Sequence, residues 1–375
     1  MMDVSKTVRL RILAVCAFPV EAAATRFRLA QFVDPLAERG IDLDIVPFLT
    51  SKQFENLYRS GEKLSTVFGL TLSILNRIRN ILGLRKYHAL FVQREAILFG
   101  PAIFEWLYSK LGRLPMVLDL DDATYVHYVS PTYGRLGSFF KFFGKTDNLI
   151  KRAKLVTCGN RFIAEYVGSK GGTATVIPTV VDLNEFRPRD FPSRALVPTL
   201  GWIGTHSTYP FLEWLFPVLE RLAEKHKFIL KIVGSGAADP KIAQVVTENL
   251  DWQQEREIED FRSLDIGLYP IVPKGAASED WIKGKSGFKA IQYMAVGIPF
   301  VMSPVGICAE LGEPGQTHFN AASEDDWYNA LDTLLNSPDL RAKMGVAARD
   351  HALANYGLGQ QADRLADVFQ SVTQR

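Results

Sequence analysis

Cysteine is scarce in this chain. Its 375 residues include three, Cys16, Cys158 and Cys308, far apart and each among apolar neighbours. An odd count argues against a disulfide framework, and the spacing fits no zinc pattern. That usage points to a reducing, cytoplasmic compartment. Charge of one sign is also lacking. Lys and Arg number 43 and Asp and Glu 41, a net +2, so nothing demands nucleic acid as a partner. No apolar run reaches the ~18 residues of a membrane-spanning helix. The six histidines show no metal-ligand spacing, and no repeat or low-complexity tract is found. What is present is 47% hydrophobic and 22% charged, a globular composition. The length suggests two domains.

The start of the chain admits two readings. "KTVRLRILAVCAFPVEAAA" has a basic start, an apolar run and small residues, as a secretory leader does. The run Ile12 to Phe18 is short for a leader core. The segment that follows, "TRFRLAQFVDPLAERGIDLDIVPF", completes a β-α-β unit that would lose its first strand on cleavage. A first strand over 11–18 is therefore expected.

Further strands are expected at 42–48, 87–93, 115–120, 154–158 and 174–178. Each is a short, nearly continuous apolar run, as when both sheet faces are buried. Helical patterns separate them. The stretch "DLNEFRPRDFPSRALVP" reads as a linker, with three prolines and little periodicity. Alternation then restarts with the strands "TLGWIG", "FILKIVG", "DIGLYPI" and "IPFVMS", a helix over 286–296 and helical pattern from Glu324 onward. The fold class is α/β, two doubly wound parallel sheets facing a cleft, with ligands beyond the carboxyl ends of the strands.

The stretch "GKSGFKAIQYMAVGIPFV", residues 284–301, contains the Gly-Lys-Ser of a nucleoside-triphosphate loop. That loop needs a glycine five residues earlier, where Glu279 stands, so the amide nest is incomplete. As a helix, the stretch puts Lys285, Lys289 and Gln292 on one face. Lysines in the first turns oppose the helix dipole unless an anion is present, and Ser286 and Gly287 can offer a hydroxyl and amides to it. A solvated charged face on a core helix is the competing reading.

The longer segment "GKSGFKAIQYMAVGIPFVMSPVG" resembles the signature of family 4 (group 1) glycosyltransferases of the GT-B fold. "TRFRLAQFVDPLAERGIDLDIVPF", "LVTCGNRFIAEYV" with "VIPTVVDLNEF", "GWIGTHSTYPFL", "FILKIVGSG" and "LDIGLYPI" resemble, in chain order, segments of its Gly-Trp-Ile-Gly loop subgroup. The resemblance implies an acceptor-binding domain at 1–190, a nucleotide-sugar domain at 191–352 and a helix at 353–375 crossing back to the first. It implies donor contacts from Gly204, Thr205, His206, Ser207, Gly234, Ser235 and Lys285 to Gln292. The reaction implied is retaining glycosyl transfer from a nucleotide-diphosphate sugar to a glycan or lipid-linked acceptor, with no obligatory cofactor or metal, in cell-surface polysaccharide or glycolipid assembly. The family commonly carries two glutamates where Gly284 and Gln292 stand here. Its Arg and Lys after the first strand of the second domain are also missing. Lys285 and Lys289, with Lys283 third, then become the candidate diphosphate clamp.

"PMVLDLDDATY" sets Asp119, Asp121 and Asp122 at a strand end. Three readings stand open. Asp121 and Asp122 align with the family's His-Asp pair facing the transferred sugar, where Asp121 would hydrogen-bond or act as a base. Asp119 and Asp121 also spell the metal-binding Asp-x-Asp of another transferase fold. Helix capping by Asp122 with solvated acids is the plainest reading. Arg94 and Glu95 form either a surface pair or an acceptor site, and Thr25 and Arg26, in the loop after the first strand, join the acceptor candidates. Asn160 reads as a helix cap ahead of a ligand, and Trp252 as core ahead of a residue stacking on the donor's base. Two basic amphipathic segments, 65–88 and 138–154, read as core helices with solvated basic faces or as contacts with anionic lipid at the inner membrane face. A sugar-nucleotide epimerase or hydrolase on the same fold, or a binding protein that has lost turnover, are the rival functions.

Overall fold

The computed structural model describes residues 9–56, 63–126, 141–189, 197–272 and 279–374. Contacts divide the chain into two units: Met1–Thr179 together with Leu358–Arg375, and Val180–Gly357.

The first unit is built on six parallel strands: β1 (Leu10–Cys16), β2 (Ile41–Pro47), β3 (Ala89–Gln93), β4 (Met116–Leu120), β5 (Leu155–Cys158) and β6 (Ala174–Val176). Their order is β2-β1-β3-β4-β5-β6, so the winding reverses between β1 and β3. Ala14 pairs with Ile45 on one side and Phe91 on the other, which puts the run "ILAVC" in the sheet interior. Residues 10–16 are therefore a strand, as the unbroken apolar run requires when helices cover both faces. The last helix, Leu358–Thr373, packs on the helix Val33–Glu38 and on β3 and β4. Its Phe369 is fully buried, edge-to-face on Phe91.

The second unit carries β7 (Thr199–Ile203), β8 (Ile229–Val233), β9 (Val246–Leu250), β10 (Ile266–Tyr269), β11 (Phe300–Met302) and β12 (His318–Asn320). The order β12-β11-β10-β7-β8-β9 is the doubly wound dinucleotide-fold order, with its switch point between β10 and β7. Periodicity missed β9 and β12, and the sheet order gives the reason. They are the two edges. "VTENL" is largely open to solvent and "HFN" is three residues long, so neither carries the apolar run of a central strand.

Candidate active site

At the carboxyl edge of the first sheet the three aspartates divide. Asp119, the fourth residue of β4, is fully buried and paired with Arg28, whose Nε donates to Oδ2 at 3.0 Å. Thr157 on β5 donates to Asp119 Oδ1 at 2.6 Å, and Arg28 Nη1 donates to the Ile177 carbonyl at 2.7 Å. Burial of a lone carboxylate would be costly, and the arginine and the hydroxyl offset that cost. Asp121 instead receives both Nε and Nη2 of Arg94, the latter at 2.6 Å, and Arg94 Nη2 lies 3.3 Å from Asp122 Oδ2. Arg94 reaches this position with φ of 60°, a left-handed conformation just past the end of β3. Burial pushes the Asp121 carboxyl up, but the charges of Arg94 and Arg28 outweigh it and hold its pKa below the usual carboxylate range.

Several expectations are corrected here. Asp121 is a weakened base, because its lone pairs and charge are committed to Arg94. Asp119 and Asp121 face different arginines, so the Asp-x-Asp metal reading fails on geometry. Among the described residues no group of three or more His, Cys, Asp or Glu is arranged to hold a metal. Arg94 and Glu95 are not partners: Glu95 pairs with Lys145 at 2.6 Å, both largely buried. That pair removes Lys145 from the solvated basic face expected of 138–154, of which the described part begins at 141. Ala23–Arg28 is a short helix, not a loop. In it the Thr25 hydroxyl is buried and donates to the Phe18 carbonyl at 2.8 Å, so Thr25 holds the turn and has no free side chain for an acceptor. Arg26, half-buried, lies 4.6 Å from the Phe27 ring centre. Arg28, two residues on, is the one that reaches the strand ends. Its partner lies 91 positions away, and no local pattern could have flagged it. Asn160 caps its helix, accepting from the Ile163 amide at 2.8 Å.

Arg77 was also missed. It is almost fully buried, donating to the carbonyls of Cys16 (2.7 Å), Val46 (2.8 Å) and Ala96 (2.9 Å). It ties together the ends of β1 and β2 and the turn after β3, at the sheet's switch point, so it is not part of a solvated face. Burial drives its pKa down, an effect opposed by Tyr108, Cys16 and Glu105. Burial also pushes Cys16 up to about 11 and Cys158 and Cys308 up to about 12, so no thiolate nucleophile is present at neutral pH.

In the second unit, the turns after β7 and β8 meet. A Cβ on Gly234 would lie 2.4 Å from the Gly204 carbonyl oxygen and 3.3 Å from Trp252, and one on Gly236 would lie 3.5 Å from His206. Gly234 also has φ of 79°, so only glycine suits it. Thr205, His206 and Ser207 are exposed on this turn, and Thr205 Oγ1 lies 2.9 Å from Ser207 Oγ. Trp252 stands at the surface beside these turns and is not core. Ser235 is buried and internally used: its hydroxyl donates to Asn249 at 2.9 Å and accepts from the Ala237 amide at 3.2 Å. It shapes the turn and is not presented to a ligand.

The helix of the signature runs over Phe288–Ala295, not 286–296, because Gly287 takes φ of 66° and breaks the chain's course. A Cβ there would lie 2.4 Å from Leu311. Lys285 and Ser286 therefore precede the helix, and the expected single face of Lys285, Lys289 and Gln292 does not form. Lys285 Nζ sits 3.6 Å from the Trp281 ring centre. Lys289 Nζ lies 5.9 Å from the Trp202 ring centre on β7 and 5.4 Å from that of Tyr269 on β10. That is the switch point. Gln292 is almost buried and its amide lies 3.4 Å from Glu257 Oε1. Glu257, 35 residues earlier in the chain, was not singled out in the sequence.

Residues 197–337 match the family model described as Glycosyl transferases group 1. Over 259 residues the chain is 24% identical to a D-inositol 3-phosphate glycosyltransferase of Nocardiopsis dassonvillei, covering 60% of this chain and 58% of that one. It is 26% identical over 260 residues to one of Streptomyces scabiei, covering 59% and 56%. The matches thus span little more than half the length of these curated relatives. Among solved structures, a glycosyltransferase from Rickettsia africae superposes with TM-score 0.69 at 15% identity, over 98% of this chain and 100% of that one. The Anabaena protein HepE, crystallised with UDP and glucose, gives TM-score 0.68 at 14% identity over 96% and 100%. The fold they share with this chain is GT-B.

Proposed function

We propose that this GT-B chain, whose residues 197–337 match group 1 glycosyl transferases, is a glycosyltransferase moving a sugar from a nucleotide-diphosphate sugar to an acceptor. The observation that carries this reading is the switch point of the second sheet. There the backbone turns at Gly204 and Gly234 approach closely, and the half-buried cation Lys289 lies between the ends of β7 and β10.

Each part has a chemical task. Loss of the nucleoside diphosphate develops negative charge on its oxygens. A fixed cation in a partly desolvated site stabilises that charge more than water-screened lysines would. Lys289 takes this role, and Lys285, already over Trp281, is secondary. Gln292 is assigned to the ribose hydroxyls, with Glu257 behind it orienting its amide and adding the negative charge that Gln292 lacks. His206 lies beside Gly236 and Trp252 beside Gly234, and this edge is assigned to the donor. In the first unit, Asp122 is the half-buried carboxylate offered to an acceptor hydroxyl, and Asp121 holds Arg94 in place. The transfer is proposed to retain configuration and to need no metal. It fits assembly of cell-surface polysaccharide or glycolipid from the cytoplasmic side.

The UDP bound by the Anabaena neighbour makes UDP-sugars the first donors to test. A thermal-shift screen should show stabilisation by one nucleotide sugar, because ligand binding adds stability by mass action. Lys289→Ala should remove that shift. A shift of full size in the variant would overturn the clamp. Activity surviving EDTA, with an α-configured product from an α-linked donor, checks the metal and stereochemical parts. Gly284 and Gln292, where the family has glutamates, favour one second reading, a donor-binding protein without turnover. Calorimetric binding with no product from any acceptor would support it.

A further inference from the structure

We infer that one face of the first unit docks on an anionic lipid surface. The helix Lys63–Asn80 buries Ser73 and Arg77, four residues apart, and so turns the opposite side outward. That side carries Leu72, Leu75 and Ile78, and the following turn, Ile81–Lys86, carries Leu82, which is 88% exposed. The neighbouring helix Ile103–Gly112 exposes Ile103, Trp106 and Leu111. The two helices are tied together: Tyr108 donates to the Arg77 carbonyl at 2.6 Å, and Gly112 abuts Leu84. Seven large apolar side chains outside any core need an apolar partner.

The charges choose which partner. Arg79, Arg85, Lys110 and Arg113 are exposed among these side chains. Between residues 63 and 88 and between 99 and 113 there is one acid, Glu105, and it is buried. Of the acids beside the face, Asp44 lies 3.8 Å from Lys86 and also binds Arg11 and Tyr87, and Glu55 is exposed on the helix Ser51–Asn56, whose Gln53 lies 3.2 Å from Ser73 Oγ. A leucine-rich stripe with a tryptophan, set among cations that outnumber the acids near it, matches the boundary between anionic headgroups and acyl chains. A second copy of the same face fits poorly, because a two-fold contact would set these cations against one another.

The test is co-sedimentation of the full chain with phosphatidylcholine vesicles, with and without phosphatidylglycerol. Binding is expected only with the anionic lipid, and it should weaken as salt rises. Leu75→Gln with Leu82→Gln should reduce binding by about tenfold or more. Arg79→Gln with Lys110→Gln should cost roughly 25-fold, at about fivefold per cation. All four side chains are on the surface, so thermal melts should match the parent chain. Equal binding to neutral vesicles, no binding to anionic ones, or variants that bind like the parent would overturn the inference. So would a lipid-free dimer in sedimentation velocity that the leucine variant dissolves, since that assigns the face to a second copy. The inference does not rest on the glycosyltransferase reading. The nucleotide-sugar shift and the vesicle assay fail independently.

Discussion

Side chains in this protein take their roles from burial more than from type. His318 is fully buried, stacked on Phe300, with Thr317 Oγ1 2.8 Å from Nδ1 and Asn320 Oδ1 3.1 Å from Nε2. Burial pushes its pKa from 6.5 down to about 4, with a smaller push from His351. Between those values the unfolded chain binds the proton and the folded chain does not. Stability is therefore full above the unfolded value and falls as pH drops toward 4, by about 3 kcal/mol at most. Urea melts of the second unit from pH 7 to 4.5 should show this loss, and His318→Gln should flatten it. An unchanged slope in that variant would assign the acid sensitivity to other groups. The same principle separates the three aspartates. Asp119 and Asp121 are two residues apart, yet each is bound to its own arginine, and those arginines come from different elements. The residue types at this edge were legible in the sequence. The pairing was not, because it depends on which strand ends the fold sets side by side.

Elements meet the candidate donor site through turns, and two glycines set those turns. Gly234→Ala would force a side chain toward the Gly204 carbonyl at a positive φ. Strain of this kind costs about 1–3 kcal/mol. The expected result is a melting temperature lower by several degrees and a reduced nucleotide-sugar shift, read in the same thermal-shift assay. A variant that melts and binds like the parent would show that this turn is not part of the donor site. Gly287 acts differently: it delays the signature helix to Phe288 and so separates Lys285 from Lys289. A helical wheel drawn from residue 285 could not show that, since the apolar spacing continues through the break. Central strands were readable because burial on both faces demands continuous apolar runs. The edge strands β9 and β12 carry no such demand and were not.

At the scale of the whole chain, the last helix belongs to the unit that the chain began with. Leu358–Thr373 buries Leu365, Ala366, Val368 and Phe369 in the first unit, and Arg39 binds Asp363 and the Gly359 carbonyl. Ending the chain after Gly357 should cost several kcal/mol in the first unit, since loss of a buried phenylalanine alone costs about 3–5 kcal/mol. Limited proteolysis should then cut within the first unit while residues 197–357 stay protected. Equal protection of both would show that the helix adds little. The alternation of apolar runs and helical patterns determined the two doubly wound sheets, because periodicity reports which faces are buried. Only the tertiary structure decided the working partners: Arg28 for Asp119, Arg94 for Asp121, Glu257 for Gln292, and Lys289 rather than Lys285 at the switch point. These contacts join residues tens of positions apart, and their strength depends on desolvation, which exists only once the chain has closed around them.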